Sequence, residues 1–114
     1  EALYYVPDPA EALKEWARVC VPGGRLSIVI DLFKENPATH SWLEALDVQA
    51  HLLGAQELVD MVKEAGFSKA SWRTVQDPRP IKPESDFTPS RYWPSYDMYV
   101  SYRKCGSLIV DGLR

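Results

Sequence analysis

Apolar residues first recur at helical spacing at Leu13, Trp16, Ala17 and Cys20, which puts one apolar face on a helix over residues 8–20. Its start is well signalled: Asp8 suits the N-cap, Pro9 the first helical position, where a missing N–H costs nothing, and Glu11 completes a capping box. Val21-Pro22-Gly23-Gly24 ends it, because proline breaks the hydrogen-bond ladder and glycine permits a tight turn. Residues 25–32 then read as a strand whose Leu26, Ile28, Val29 and Ile30 are apolar on both faces, the pattern of an interior parallel strand covered by helices. Asn36-Pro37 repeats the cap-then-proline signal and predicts a second helix over 37–46 with Trp42, Leu43 and Leu46 inward. A third is predicted over 55–65, with Leu58, Met61, Val62 and Ala65 on its apolar face and Gly66 at a left-handed C-cap. Phe67 leads into a strand at 69–76.

The next segment changes character. Residues 77–95 hold five of the nine prolines together with Phe87, Tyr92 and Trp93, which predicts an ordered or semi-ordered loop, since aromatic side chains in a free linker would be left in water. Residues 96–104 suit a short helix and 106–113 a last strand. The order helix, apolar strand, helices, strand, loop, strand predicts an α/β sandwich. With only three strands the sheet is thin, so the chain reads as half of a larger sheet.

Composition narrows the classes. At 114 residues, 46% hydrophobic and 25% charged, the chain has the balance of one ordinary globular domain, which excludes collagen and disorder. No apolar run approaches the roughly 18 residues of a membrane span and no charged leader opens the chain, so a cytoplasmic protein without a membrane partner is expected. A net charge of −3 argues against nucleic acid. The charge is uneven: residues 1–68 carry 5 basic and 11 acidic groups, residues 69–114 carry 8 and 5. That basic excess reads as a solvated face or a seat for an anionic substrate or partner. Cys20 and Cys105 lack CxxC or Cys/His spacing, so core thiols are expected and a metal site is not. Residue 1 is Glu, not Met, which implies a processed start or part of a longer chain.

Tyr5-Val6-Pro7-Asp8-Pro9, Ala12-Leu13 and Arg18-Val19 ahead of Pro22-Gly23-Gly24-Arg25-Leu26 together resemble class I S-adenosylmethionine (SAM) dependent methyltransferases, from the end of strand 4 through helix D to strand 5. The stretch from Leu52 to Phe67 is similar to the helix before strand 6, and the stretch from Cys105 to Arg114 to strand 7. The resemblance implies a partial Rossmann-like methyltransferase sheet, strands 5-7-6 with covering helices and strand 7 antiparallel in the middle. It also implies that strand 25–32 is an edge, with about four apolar residues facing water and a homodimer formed through it. That family's glycine-rich loop and ribose-binding acid are missing, so SAM is expected as cofactor of the intact protein and to bind this chain alone weakly or not at all.

The resemblance further implies that Glu1, Ala2 and Leu3 line the cofactor's reactive end; of Tyr4 and Tyr5, one is expected to face the methyl-transfer centre as a substrate contact and the other to pack under helix 8–20. Asp31, Phe33, Lys34 and Asn36 stand at the same edge; Asp31 either orients a nucleophile or bonds the next turn. His40 is a candidate general base or a surface histidine, and His51 a structural one. Tyr92 and Trp93 either form a lid over a substrate or pack on the sheet. Methyl transfer from a sulfonium needs in-line positioning and sometimes a base, so no catalytic residue is assigned. The expected function is the C-terminal, substrate-side portion of a SAM-dependent methyltransferase acting on a small-molecule methyl acceptor, inactive by itself. The alternative is a non-catalytic interaction or dimerisation module derived from such a half-domain.

Overall fold

The computed structural model describes residues 1–114. Three strands, β1 (Arg25–Ile30), β2 (Lys69–Val75) and β3 (Ser107–Leu113), form one sheet in the order β1-β3-β2. The last strand thus lies in the middle, antiparallel to both neighbours, with Ile28 opposite Val110 and Trp72 opposite Val110 on the other side. The molecule is a small α/β domain. Helices α1 (Pro9–Val19) and α3 (Ala55–Ala65) pack against each other and lie on one face of the sheet. Between them in sequence lies the single turn α2 (Trp42–Ala45); α4 (Tyr96–Cys105) precedes β3. The core is the seam between that helix layer and the sheet: Leu13 and Ala17 of α1, Leu58, Val59 and Val62 of α3, and Ile28, Ile30, Leu108 and Val110 of the strands.

Helices α1 and α3 form where the capping signals place them. Asp8 Oδ1 accepts the Glu11 N–H at 3.1 Å. Glu11 does not return the bond and pairs instead with Lys14 at 2.7 Å, so only half of the capping box is made. Gly66 has φ +122° and ends α3, as expected of a residue without a Cβ. The start of α3 is held by two carboxylates: Glu57 accepts the Gly54 N–H at 3.0 Å and Glu35 accepts the Ala55 N–H at 3.1 Å, both favourable at the positive end of a helix.

Three expectations are corrected. Strand β1 is buried on one face only: Ile28 and Ile30 point under the helices, whereas Val29 is 47% exposed. It is an antiparallel edge strand with one wet side, so the apolar surface at this edge is Val29, not four residues. The predicted helix 37–46 is broken into a 3-10 turn, Pro37–Thr39, and the short α2. Asn36 does not cap it; its side-chain amide donates to the Asp31 carbonyl at 2.9 Å, and Thr39 Oγ1 donates to the Asn36 carbonyl at 2.7 Å. The residues meant to start a helix are thereby committed to the turn that follows β1. Cys20 and Cys105, expected in the core, are half-buried at its border.

Residues 77–95 have no regular structure beyond a 3-10 turn at Glu84–Asp86, yet they are well fastened, as a strap. Tyr96 donates to the Lys82 carbonyl at 2.6 Å and Tyr99 Oη accepts the Lys82 N–H at 3.2 Å. Phe87 stacks on Tyr99 at 5.4 Å, and Trp42 Nε1 donates to the Tyr92 carbonyl at 2.9 Å.

Candidate functional site

In an open α/β sheet ligands bind beyond the carboxyl ends of strands, and the carboxyl end of β1 does gather polar side chains. Asp31, one residue past the strand, accepts the Tyr102 hydroxyl on Oδ2 at 2.7 Å and the Ser107 hydroxyl on Oδ1 at 2.6 Å. Its N–H donates to Glu1 Oε1 at 2.6 Å, and the other Glu1 oxygen accepts the Tyr4 hydroxyl. Burial first, and then the neighbouring carboxylate, pushes both tyrosines well above their ordinary range, Tyr102 through Asp31 and Tyr4 through Glu1. Asp31 therefore ties β1, α4 and β3 together.

Of the residues singled out from sequence, Glu1, Tyr4 and Asp31 come together here. Tyr5 is 40% exposed and its ring lies tilted on Tyr4 at 4.5 Å. Ala2 is exposed; Leu3 and Phe33 are buried in the core. The Lys34 ammonium pairs with Glu57 at 3.1 Å, on α3. His40 Nε2 donates to the Phe33 carbonyl at 3.2 Å, a bond inside the turn, and His51 Nε2 to the Pro7 carbonyl at 3.2 Å. Tyr92 and Trp93 pack not on the sheet but with Trp42, Tyr99 and Tyr102, in an aromatic cluster in which Trp93 and Tyr102 approach to 5.1 Å.

Tyr102, Ser107, Trp42 and Arg103 were not singled out. The signal was there for one of them: Tyr96, Tyr99 and Tyr102 recur every three residues, which aligns their hydroxyls along one side of α4. Arg103 donates to Tyr99 Oη at 3.0 Å and to the carbonyls of Asp77 and Arg79, so it anchors the strap. The Lys82 N–H first, and then this guanidinium, hold the Tyr99 hydroxyl below the ordinary tyrosine value.

Hollows are poorly matched to a small ligand at this end. One of about 130 Å³, lined by Asp77, Tyr102, Arg103, Gly106 and Ser107, is below the roughly 300–1,000 Å³ of ligand pockets. A groove of about 650 Å³ lies instead over the open face of the sheet, bordered by Arg25, Lys69 and Arg73. No group of three or more His, Cys, Asp or Glu is placed to hold a metal. No helix is long and apolar enough to cross a membrane.

No family model and no curated protein matches the chain. Among solved structures it is similar to a chain of the "Complex between the Haloferax volcanii Trm112 methyltransferase activator and the putative methyltransferase", with a TM-score of 0.84 and 29% identity over 99% of this chain. The present chain spans 50% of that solved chain. The finding redirects the functional expectation. That solved assembly joins a methyltransferase to an activator protein. The likeness overturns the expectation of the substrate-side portion of a SAM-dependent enzyme acting on a small molecule. The geometry agrees: Asp31 is engaged by Tyr102 and Ser107, and the hollow beside them is too small for a typical ligand.

Proposed function

We propose that this chain is a non-catalytic interaction module of a cytoplasmic methyltransferase assembly, derived from a class I methyltransferase half-domain and docking through the free edge of β1. The observation that carries this reading is the edge itself. Alternation along an antiparallel pair turns the backbone groups of Arg25, Ser27 and Val29 away from β3. Glu1 already sits against this edge as a neighbouring strand would, its amino group donating to the Val29 carbonyl at 2.7 Å and its carboxylate accepting the Asp31 N–H at 2.6 Å. Arg25 and Ser27 continue the row beyond Glu1, without a mid-strand proline or inward lysine to blunt it. The strand order and the motif resemblance support the derivation, and the solved activator complex supports a protein partner. The chain lacks the loop and the acid expected to hold SAM, so its own affinity for the cofactor is weak or nil.

The test is size-exclusion chromatography with light scattering of the chain alone, with the Haloferax volcanii Trm112 activator, and with that activator's methyltransferase. A complex with one of the two proteins is expected. Ser27→Pro should abolish it, because proline removes an outward N–H and is tolerated on an edge strand. A chain that stays alone in every mixture, or a complex that Ser27→Pro leaves intact, overturns the reading. A two-copy species of the chain by itself, lost in Ser27→Pro, would make the edge partner a second copy.

A further inference from the structure

The sheet face opposite α1 and α3 carries no helix, and the register reads out its side chains in rows. Arg25, Leu113 and Lys69 form one row; Ser27, Asp111 and Ser71 the next; Val29, Ile109 and Arg73 the third. Three cations thus border the groove of about 650 Å³. The one acid in it, Asp111, is engaged by the Ser27 hydroxyl and by Arg73 at 3.6 Å. Arg25 and Lys69 have no ion-pair partner. They flank Leu113 from the two outer strands, so their backbones stand two strand spacings apart, about 9.5 Å, close to the roughly 10–12 Å width of a helix. Leu113 lies between them; the next row of the floor holds Ser27, Asp111 and Ser71, and apolar Val29 and Ile109 follow in the row beyond the groove.

We propose that this face docks an acidic amphipathic helix of the partner protein, its apolar stripe on Leu113, Ile109 and Val29 and its flanking carboxylates on Arg25 and Lys69. The proposal rests on the reading of the chain as an interaction module and names what it accepts. Charge favours an acidic occupant over a second copy placed face to face, which would bring like cations together. A helix suits the surface because sheets in α/β domains are covered by helices on their faces.

The probe is a synthetic helix of about five turns with a Leu/Ala stripe flanked by Glu, titrated into isotopically labelled chain and followed by amide shifts. A Lys-flanked counterpart and a single-stranded RNA are run beside it. The Glu-flanked helix should bind alone of the three, shift Ser27, Ser71, Ile109 and Leu113, and lose about tenfold in affinity in Lys69→Glu and again when salt rises from about 0.05 to 0.5 M. Equal binding of both helices, tighter binding of RNA, or shifts confined to α1 and α3 overturns the proposal. Lys69 lies two strands from the β1 edge, so the Glu-flanked helix can bind and lose affinity in Lys69→Glu even where no partner complex forms through the edge, and the two readings fail separately.

Discussion

Gly106 joins α4 to β3 and sets Ser107 on Asp31, so replacing it by alanine tests the clasp from the backbone side. Its φ of +79° and ψ of −178° lie in a region open essentially to glycine. A Cβ there would stand 2.6 Å from the Val75 carbonyl oxygen and 2.8 Å from its carbon. Both are backbone atoms of β2, so no side chain can swing away. The conformational cost is about 1–3 kcal/mol and the forced separation of β2 from β3 adds about 1–3 kcal/mol. Gly106→Ala is therefore expected to lose about 2–6 kcal/mol, a large part of the stability of a small domain. Gly66→Ala is the control: it too has positive φ, +122°, but its added Cβ would meet only Ala17 Cβ at 3.6 Å, an ordinary contact. It should lose about 1–3 kcal/mol from backbone strain alone. Urea unfolding followed by tryptophan fluorescence reads both. Equal losses in the two variants would refute the claim that the Val75 contact, and with it the β2–β3 junction, is tight.

Two further outcomes follow from the same end of the molecule. Tyr4 and Tyr102 have folded-state values raised above the ordinary 10.0, so their stabilisation is complete below about pH 10 and falls above it, as the unfolded chain ionises first. Unfolding free energy should be flat towards that pH and drop beyond it, with a shallower drop in Tyr102→Phe; an unchanged slope in that variant contradicts the assignment. Arg103→Met removes the donors to Tyr99, Asp77 and Arg79, and limited proteolysis within 77–95 should speed up at least tenfold while the sheet's circular dichroism is retained. Unaltered cleavage would show that the strap is held by its aromatics alone.

The parts of the fold legible in sequence are those whose cause is local. Helices α1 and α3 were readable because cap, proline, apolar spacing and terminal glycine all lie within a dozen residues of one another. The faces of β1 were not, since Leu26, Ile28, Val29 and Ile30 are equally apolar on both sides and only the position of the helix layer decides which is covered. Helix 37–46 does not form as expected because the turn after β1 competes for its cap: Asn36 is drawn to the Asp31 carbonyl five residues back, a tertiary choice that the cap-then-proline signal does not encode. The central place of β3 came from the motif resemblance, because alternation within a strand does not say which neighbours it has.

Glu1, Tyr4 and Asp31 lie together at the end of β1, but their chemistry depends on partners from the far end of the chain. Asp31 alone is an acid free to orient a nucleophile; Asp31 with Tyr102 and Ser107, 71 and 76 residues away, is a junction between three elements. Each hydrogen bond that stabilises the junction also occupies an oxygen a substrate would need, and the 130 Å³ beside it leaves little room for one. What the fold leaves without internal partners lies elsewhere: the outward backbone groups of Arg25 and Ser27 in β1 and the cations Arg25 and Lys69 over an uncovered sheet face. A backbone row pairs with a strand and a cation-bordered face with an acidic surface, and the proposed docking of a protein partner draws on both.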